Sequence, residues 1–294
     1  MNTSRASGLL PAALLLGVTA VWGWTFPVVK EAVAGYPPGS FLFLRFLLAT
    51  LLLAPLVLRR PSRRGVLTGA VIGIPLACGY FFQTVGLLTA TAADAGLLTG
   101  LFVIITPLFD RLLFGTPLAR ATVVSALAGL CGTVLLTVEG RHGLSIGDLF
   151  EVMTALLFAL HTVLLGRRSG NQPVESLAFG QMGVAMFGFL FVAAVDRPFI
   201  PPPSMSVWAA IAITGAVASA LAFWIQTFVQ QRVPPARTAI ILLAEPAFAT
   251  AFAVWLGGER LNPVQWSGAA LIFLSLISHE LWMAGRGPSP AELL

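Results

Sequence analysis

The sequence predicts an all-α membrane protein of ten transmembrane helices, arranged as two inverted five-helix repeats around a central cavity. Three observations lead there. Of 294 residues, 57% are apolar and only 10% are charged, against about 25% charged in soluble domains, and the mean hydropathy is +0.90. The apolar residues gather into ten runs, each close to the roughly 20 residues that a helix needs to cross a hydrocarbon core about 30 Å thick. The two halves of the chain also match one another at regular offsets.

The first run, 9–29, passes through Trp22, Trp24 and Phe26 without a small-residue cleavage site, so it reads as a span and not a secretory signal. The turn Tyr36-Pro37-Pro38-Gly39 leads into the second, 40–58. The third, 66–88, carries Tyr80 and Gln83; the fourth and fifth are 95–114 and 121–138. The sixth, 148–166, carries His161, and Asn171-Gln172-Pro173 leads into the seventh, 175–195. Three consecutive prolines, Pro201 to Pro203, precede the eighth, 206–229, with Phe223 and Gln226. Val233-Pro234-Pro235 opens the ninth, 237–256, which holds Glu245 and Pro246, and the tenth is 263–283. Proline clusters at these joints end one helix and set the next. Cys78 and Cys131 each lie inside an apolar run, where free cysteine behaves as a small hydrophobe. We expect no disulfide, no metal site and no cofactor.

Short basic loops are retained in the cytoplasm, so counting Lys and Arg on alternate sides orients the chain. One side carries Arg5, Arg59, Arg60, Arg63, Arg64, Arg111, Arg120, Arg167, Arg168, Arg232, Arg237 and Arg286, which is 12 of the 17. The other carries Lys30, Arg141, Arg197 and Arg260, which is 4, and Arg45 lies within the second span. Both termini are expected to be cytoplasmic in a multi-pass protein of the cell inner membrane. The pI of about 10.2 does not indicate nucleic-acid binding, because the basic residues flank the spans instead of clustering on one soluble face.

An offset of 136 pairs Trp22 with Phe158, Pro37 with Pro173, Ser40 with Ser176 and Arg45 with Gln181. From the third span the offset is 143, pairing Ala77 with Ala220, Gln83-Thr84 with Gln226-Thr227, Ala93 with Ala236, Gly115 with Gly258, Leu118 with Leu261 and Ala126 with Ala269. The difference falls in the Pro-rich loop near 196–206. The repeats are then 1–140 and 141–294. Five spans per half is an odd number, so the second half enters the membrane from the opposite side. Inverted repeats of this kind recur in secondary transporters, whose site lies near the midplane between them.

The runs Ala20-Val21-Trp22-Gly23, LFLRFLLAT (42–50), AGLLTGLFVIITPLF (95–109), ILLAEPAFATAFAVWLGGERL (241–261) and QWSGAALIF (265–273) resemble the drug/metabolite transporter superfamily, EamA type. The resemblance covers nearly the whole chain and looks closest to the family's amino-acid exporters. It implies a ten-helix carrier with a central cavity, acting as a monomer on small molecules, amino acids foremost. The family has no single invariant catalytic signature to carry over.

Polar residues inside spans are costly and therefore informative. Glu245, about eight residues or roughly 12 Å into its span, is either a substrate-amine or proton site or a structural residue bonded beside the break at Pro246. Its repeat partner is Phe102, so any such role belongs to one half. Arg45 attracts a carboxylate, or snorkels to the interface or bonds helix-end carbonyls, and its place early in the span favours these structural roles. His161 relays protons, touches substrate or makes a polar interhelical contact. Gln83 and Gln226 each follow an aromatic, Tyr80 and Phe223, by one turn, which puts ring and amide on one face. Such a face stacks on an apolar solute and bonds its polar end, or simply packs. Trp22 and Trp24 face the pathway or anchor the interface. Trp22, Tyr80, Gln83, His161, Phe223, Gln226 and Glu245 are thus the pathway candidates. The small pairs Gly69 with Gly73, Gly96 with Gly100, and Gly215 with Ser219 read as close helix crossings.

An enzyme would need a clustered acid, base, nucleophile or metal set, but the three histidines and two cysteines are dispersed. Neither a filter loop nor a ring of repeated polar groups points to a channel.

Overall fold

Peptide groups in an apolar run must bond within their own segment when no water reaches them, and among the described residues all regular structure is helical. The computed structural model describes residues 3–90, 92–137, 145–196, 201–257 and 261–285. The helices are α1 (Thr3–Gly35), α2 (Pro38–Arg59), α3 (Arg63–Gly86), α4 (Ala92–Thr99), α5 (Phe102–Phe114), α6 (Arg120–Thr137) and α7 (Ile146–Arg168). They continue as α8 (Val174–Asp196), α9 (Met205–Ile213), a π-helical segment (Thr214–Leu221), α10 (Ala222–Gln230), α11 (Pro235–Leu242), α12 (Glu245–Gly257) and α13 (Pro263–Gly285).

Each predicted run thus has its helical segment. Among the described residues, seven are long and apolar enough to cross a membrane, while Arg120–Leu136 is a shorter apolar helix. The loops carrying Arg141, Arg197 and Arg260, the terminus carrying Arg286, and the Gly258 half of one repeat pair lie outside the described residues. Local chemistry sets the ends. Ser62 caps α3 by accepting from the Gly65 amide at 3.0 Å, Ser145 and Asp148 form a reciprocal capping box on α7, and Gly115 closes α5 in the left-handed region at φ 70°.

Three spans depart from a plain α-helix. The fourth breaks between Thr99 and Phe102, at Gly100. The ninth breaks between Leu242 and Glu245, just ahead of Pro246, whose missing amide prevents the ladder from continuing. Within the eighth, α9 passes through the π-helical turns before α10.

The helices meet through small residues. A Cβ on Gly180 of α8 would lie 2.1 Å from the Val66 carbonyl oxygen, and one on Gly69 of α3 would lie 2.2 Å from that of Leu177. Gly132 and Gly268 play the same reciprocal part between α6 and α13, at 2.8 and 2.6 Å. Gly23 brings α1 against α12, with its would-be Cβ 2.8 Å from the Glu245 carbonyl oxygen. The Gly69–Gly73 crossing is as expected, but Gly96 has nothing within 4 Å. That pair marks the break at Gly100, not a crossing. Large apolar side chains such as Leu58, Leu112, Phe191 and Trp255 point outward, as lipid contact requires.

Candidate functional site

The packing leaves a cavity walled by α1, α2, α3, α7 and α10, together with the broken fourth and ninth spans. All seven pathway candidates line it: Trp22, Tyr80, Gln83, His161, Phe223, Gln226 and Glu245. Its wall is aromatic. Phe223 lies 5.2 Å from Trp22 and 6.0 Å from Tyr80 between ring centroids, and Tyr80 lies 5.3 Å from Phe158. These tilted and edge contacts leave ring faces available for stacking. Trp22 is held by donating its indole N–H to the Ala218 carbonyl of the π-helical segment at 2.8 Å.

The two glutamines matched by the repeat differ in their bonding. Gln83 is half-buried, whereas Gln226 is buried and donates to Gln230 at 2.9 Å, which donates in turn to the Thr162 carbonyl at 3.0 Å. Among the described residues the Gln226 side-chain oxygen has no partner. Gln226 lines the cavity, and a buried acceptor of this kind favours a ligand that donates to it.

His161 does two things. Gln181 on α8 donates its amide nitrogen to the Leu177 carbonyl at 3.3 Å and the Thr227 hydroxyl at 3.1 Å, so its oxygen must be the atom that meets His161 Nε2 at 2.8 Å. His161 therefore carries a proton on Nε2, and in the neutral ring Nδ1 is the acceptor. The ring stands edge-on to Phe223 at 5.9 Å and lines the cavity.

Glu245 is the first residue of α12, where the helix dipole favours a carboxylate. The break before it turns the side chain to the cavity. A second carboxylate, Glu151 on α7, sits behind the wall: its Oε2 accepts from the hydroxyl of the lining residue Thr99 at 3.0 Å, and its Oε1 is buried without a partner among the described residues. Sequence reasoning missed Glu151, because a carboxylate three residues into a predicted span looks like an ordinary end charge. Its burial comes from Gly86, whose absent side chain leaves the space that Oε1 occupies.

Arg45 requires a correction. It does not snorkel: it is only 3% exposed and lines the cavity. Its Nε donates to the Ser219 hydroxyl at 2.8 Å, and its guanidinium carbon lies 4.5 Å from the Tyr80 ring centroid. Ser219 thus orients this arginine, while Gly215 makes the close crossing, its would-be Cβ 2.9 Å from the Arg45 carbonyl oxygen. The repeat held a signal here, since Arg45 pairs with Gln181 and both prove to be buried polar residues.

Away from the cavity, Arg167 bonds Asp110 in bidentate fashion at 2.7 Å twice and reaches Thr116. Arg237 likewise pairs with Glu280. These ion pairs tie α7 to α5 and α11 to α13.

The EamA-like transporter family model matches the chain twice, at residues 9–138 and 145–278. An uncharacterized transporter of Archaeoglobus fulgidus is 32% identical over 88% of this chain and 82% of its own. An aromatic amino acid exporter of Ancylobacter novellus, YddG, is 27% identical over 84% and 89%. A protein of known crystal structure, 24% identical, superposes over 97% of this chain and 100% of its own with a TM-score of 0.79, which shows the same fold. With the family model covering nearly its whole length, the chain is a multi-pass membrane protein that belongs to the EamA-like transporter family.

Proposed function

We propose that this protein is a secondary transporter that exports small amphipathic metabolites, amino acids and aromatic amino acids foremost, across the cell inner membrane. The observation that carries the reading is the convergence of seven candidates from five separate spans on one cavity. Rings that stack, amides and an imidazole that bond, and, among the described residues, only one arginine and one glutamate on the wall suit a neutral or zwitterionic solute better than a polyanion or a metal ion. The similarity to an aromatic amino acid exporter supports the same class.

The mechanism is alternating access by two inverted repeats, 1–140 and 141–294, with both termini cytoplasmic. Support comes from matched features in the two halves. Phe102 and Glu245, paired by the offset of 143, are each the first residue after a helix break. Breaks at corresponding positions give each half a place to bend about the cavity. Transport is carried by a monomer and needs no cofactor.

Proteoliposomes offered a panel of amino acids, nucleosides, sugars and lipophilic cations, with and without a pH gradient, test this directly. Amino acids, aromatic ones included, should move down an imposed gradient. Movement of only sugars or only cationic drugs defeats the amino-acid assignment, and failure across the whole panel defeats the carrier reading.

A further inference from the structure

Arg45 is a buried charge without a counter-ion among the described residues. An arginine inside a span needs an anion, a polar partner or water. Among the described residues its side chain donates from Nε to the Ser219 hydroxyl, hydrogen-bonds the Tyr80 side chain, and makes two ring contacts, to Tyr80 at 4.5 Å and Phe46 at 5.4 Å. No carboxylate forms an ion pair with it. The rings and the hydroxyl fix the plane of the guanidinium without neutralising it.

The bonding pattern also says which edge is free. With Nε committed to Ser219, the side-on pair of Nε and one Nη is not available. The end-on pair, Nη1 and Nη2, carries four N–H donors, enough to serve the Tyr80 side chain and still face a ligand from a group that lines the cavity. Two parallel N–H donors at fixed spacing match the two oxygens of a carboxylate. A phosphate dianion fits less well, because Arg45 is the one cation on the cavity wall among the described residues and Glu245 stands on the same wall. Gln181, the repeat partner of Arg45, is occupied with His161 and Thr227, so the carboxylate has one docking point and the substrate one orientation.

We propose that Arg45 is the carboxylate-recognition residue of the cavity, its Nη1–Nη2 edge bonding the α-carboxylate of the transported amino acid end-on while the side chain lies among the aromatic rings. This rests on the transport reading above. The test uses the full chain in proteoliposomes with L-phenylalanine, its primary amide and phenethylamine, the last two lacking the carboxylate, plus inorganic phosphate as competitor. The wild type should prefer phenylalanine over the amide by about tenfold or more, since a site built to bond a polar group rejects analogues that lack it. Arg45→Gln should raise the half-saturation concentration for phenylalanine about tenfold or more, leave the amide within about twofold and so erase the preference. Arg45→Lys, which keeps the charge without the fork, should recover the preference only in part, and supplies the readout should the glutamine variant not fold. Equal loss of acid and amide transport in a folded variant would assign Arg45 a structural role. An unchanged preference in the variants, a wild type that moves amide but not acid, or competition by phosphate stronger than by phenylalanine would each overturn the proposal while leaving the carrier reading intact. A wild type that moves nothing overturns both.

Discussion

Glu245 makes no side-chain hydrogen bond or ion pair among the described residues, although it lines the cavity at the start of α12. Replacing it with glutamine therefore orphans no partner, and Glu245→Gln should leave the melting temperature in detergent within a few degrees of the wild type, because surface-like changes without lost contacts cost about 0.5 kcal/mol or less. If the carboxylate receives the substrate ammonium, the same variant should weaken amino-acid transport about tenfold, read as half-saturation in proteoliposomes. A large fall in melting temperature with intact transport would make it a structural residue. At this scale the sequence was informative about type and poor about burial. Glu245, deep in an apolar run, stood out. Arg45 was legible as a charge, but its depth was misjudged, because the Ser219 hydroxyl and Tyr80 ring that hold it inward come from spans far away in sequence. Glu151 was hidden for the same reason: Thr99 and Gly86, which receive it, belong to other spans.

Among the helices, α8 offers a clean contrast between two glycines three residues apart. A Cβ at Gly180 would meet the Val66 carbonyl oxygen at 2.1 Å and the Ala70 amide at 2.8 Å, backbone atoms that move only if α3 moves, whereas Gly183 has nothing within 4 Å. Gly180→Ala should thus cost on the order of 1–3 kcal/mol through overpacking, seen as a clear fall in melting temperature in detergent. Gly183→Ala should be neutral or slightly stabilising, since alanine is the better helix former. Equal behaviour of the two variants would contradict the α3–α8 packing. Element positions were well marked by run length and by proline at the joints, and Pro246 announced the break in the ninth span. The break at Gly100 was not legible, because glycine pairs also mark close crossings and only the partner helix decides between them. The π-helical turns in the eighth span were equally silent, being a ladder adjustment around Arg45 and Trp22 with no residue signature of their own.

For the whole molecule, the repeat makes the strictest demand, because it requires matched positions of the two halves to lie on opposite sides of the membrane. Gly35, at the end of α1, and Asn171, between α7 and α8, are paired by the offset of 136, and both are exposed. The charges around them differ in the sense that the orientation requires: Arg167 and Arg168 precede Asn171, while only Lys30 lies near Gly35. Both sites accept a probe, since a Cβ at Gly35 meets nothing within 4 Å and Asn171 sits in a turn. The native cysteines, Cys78 and Cys131, are free and exposed, so both must first be replaced by alanine. In that background, Asn171→Cys should react with a membrane-impermeant maleimide only in inside-out vesicles, and Gly35→Cys only in intact cells stripped of their outer layers. Reaction of both from one side would mean an even number of spans between them. It would defeat the inverted arrangement, and with it the bending of two opposed halves about the cavity, while the membership of the family and the cavity lining would stand.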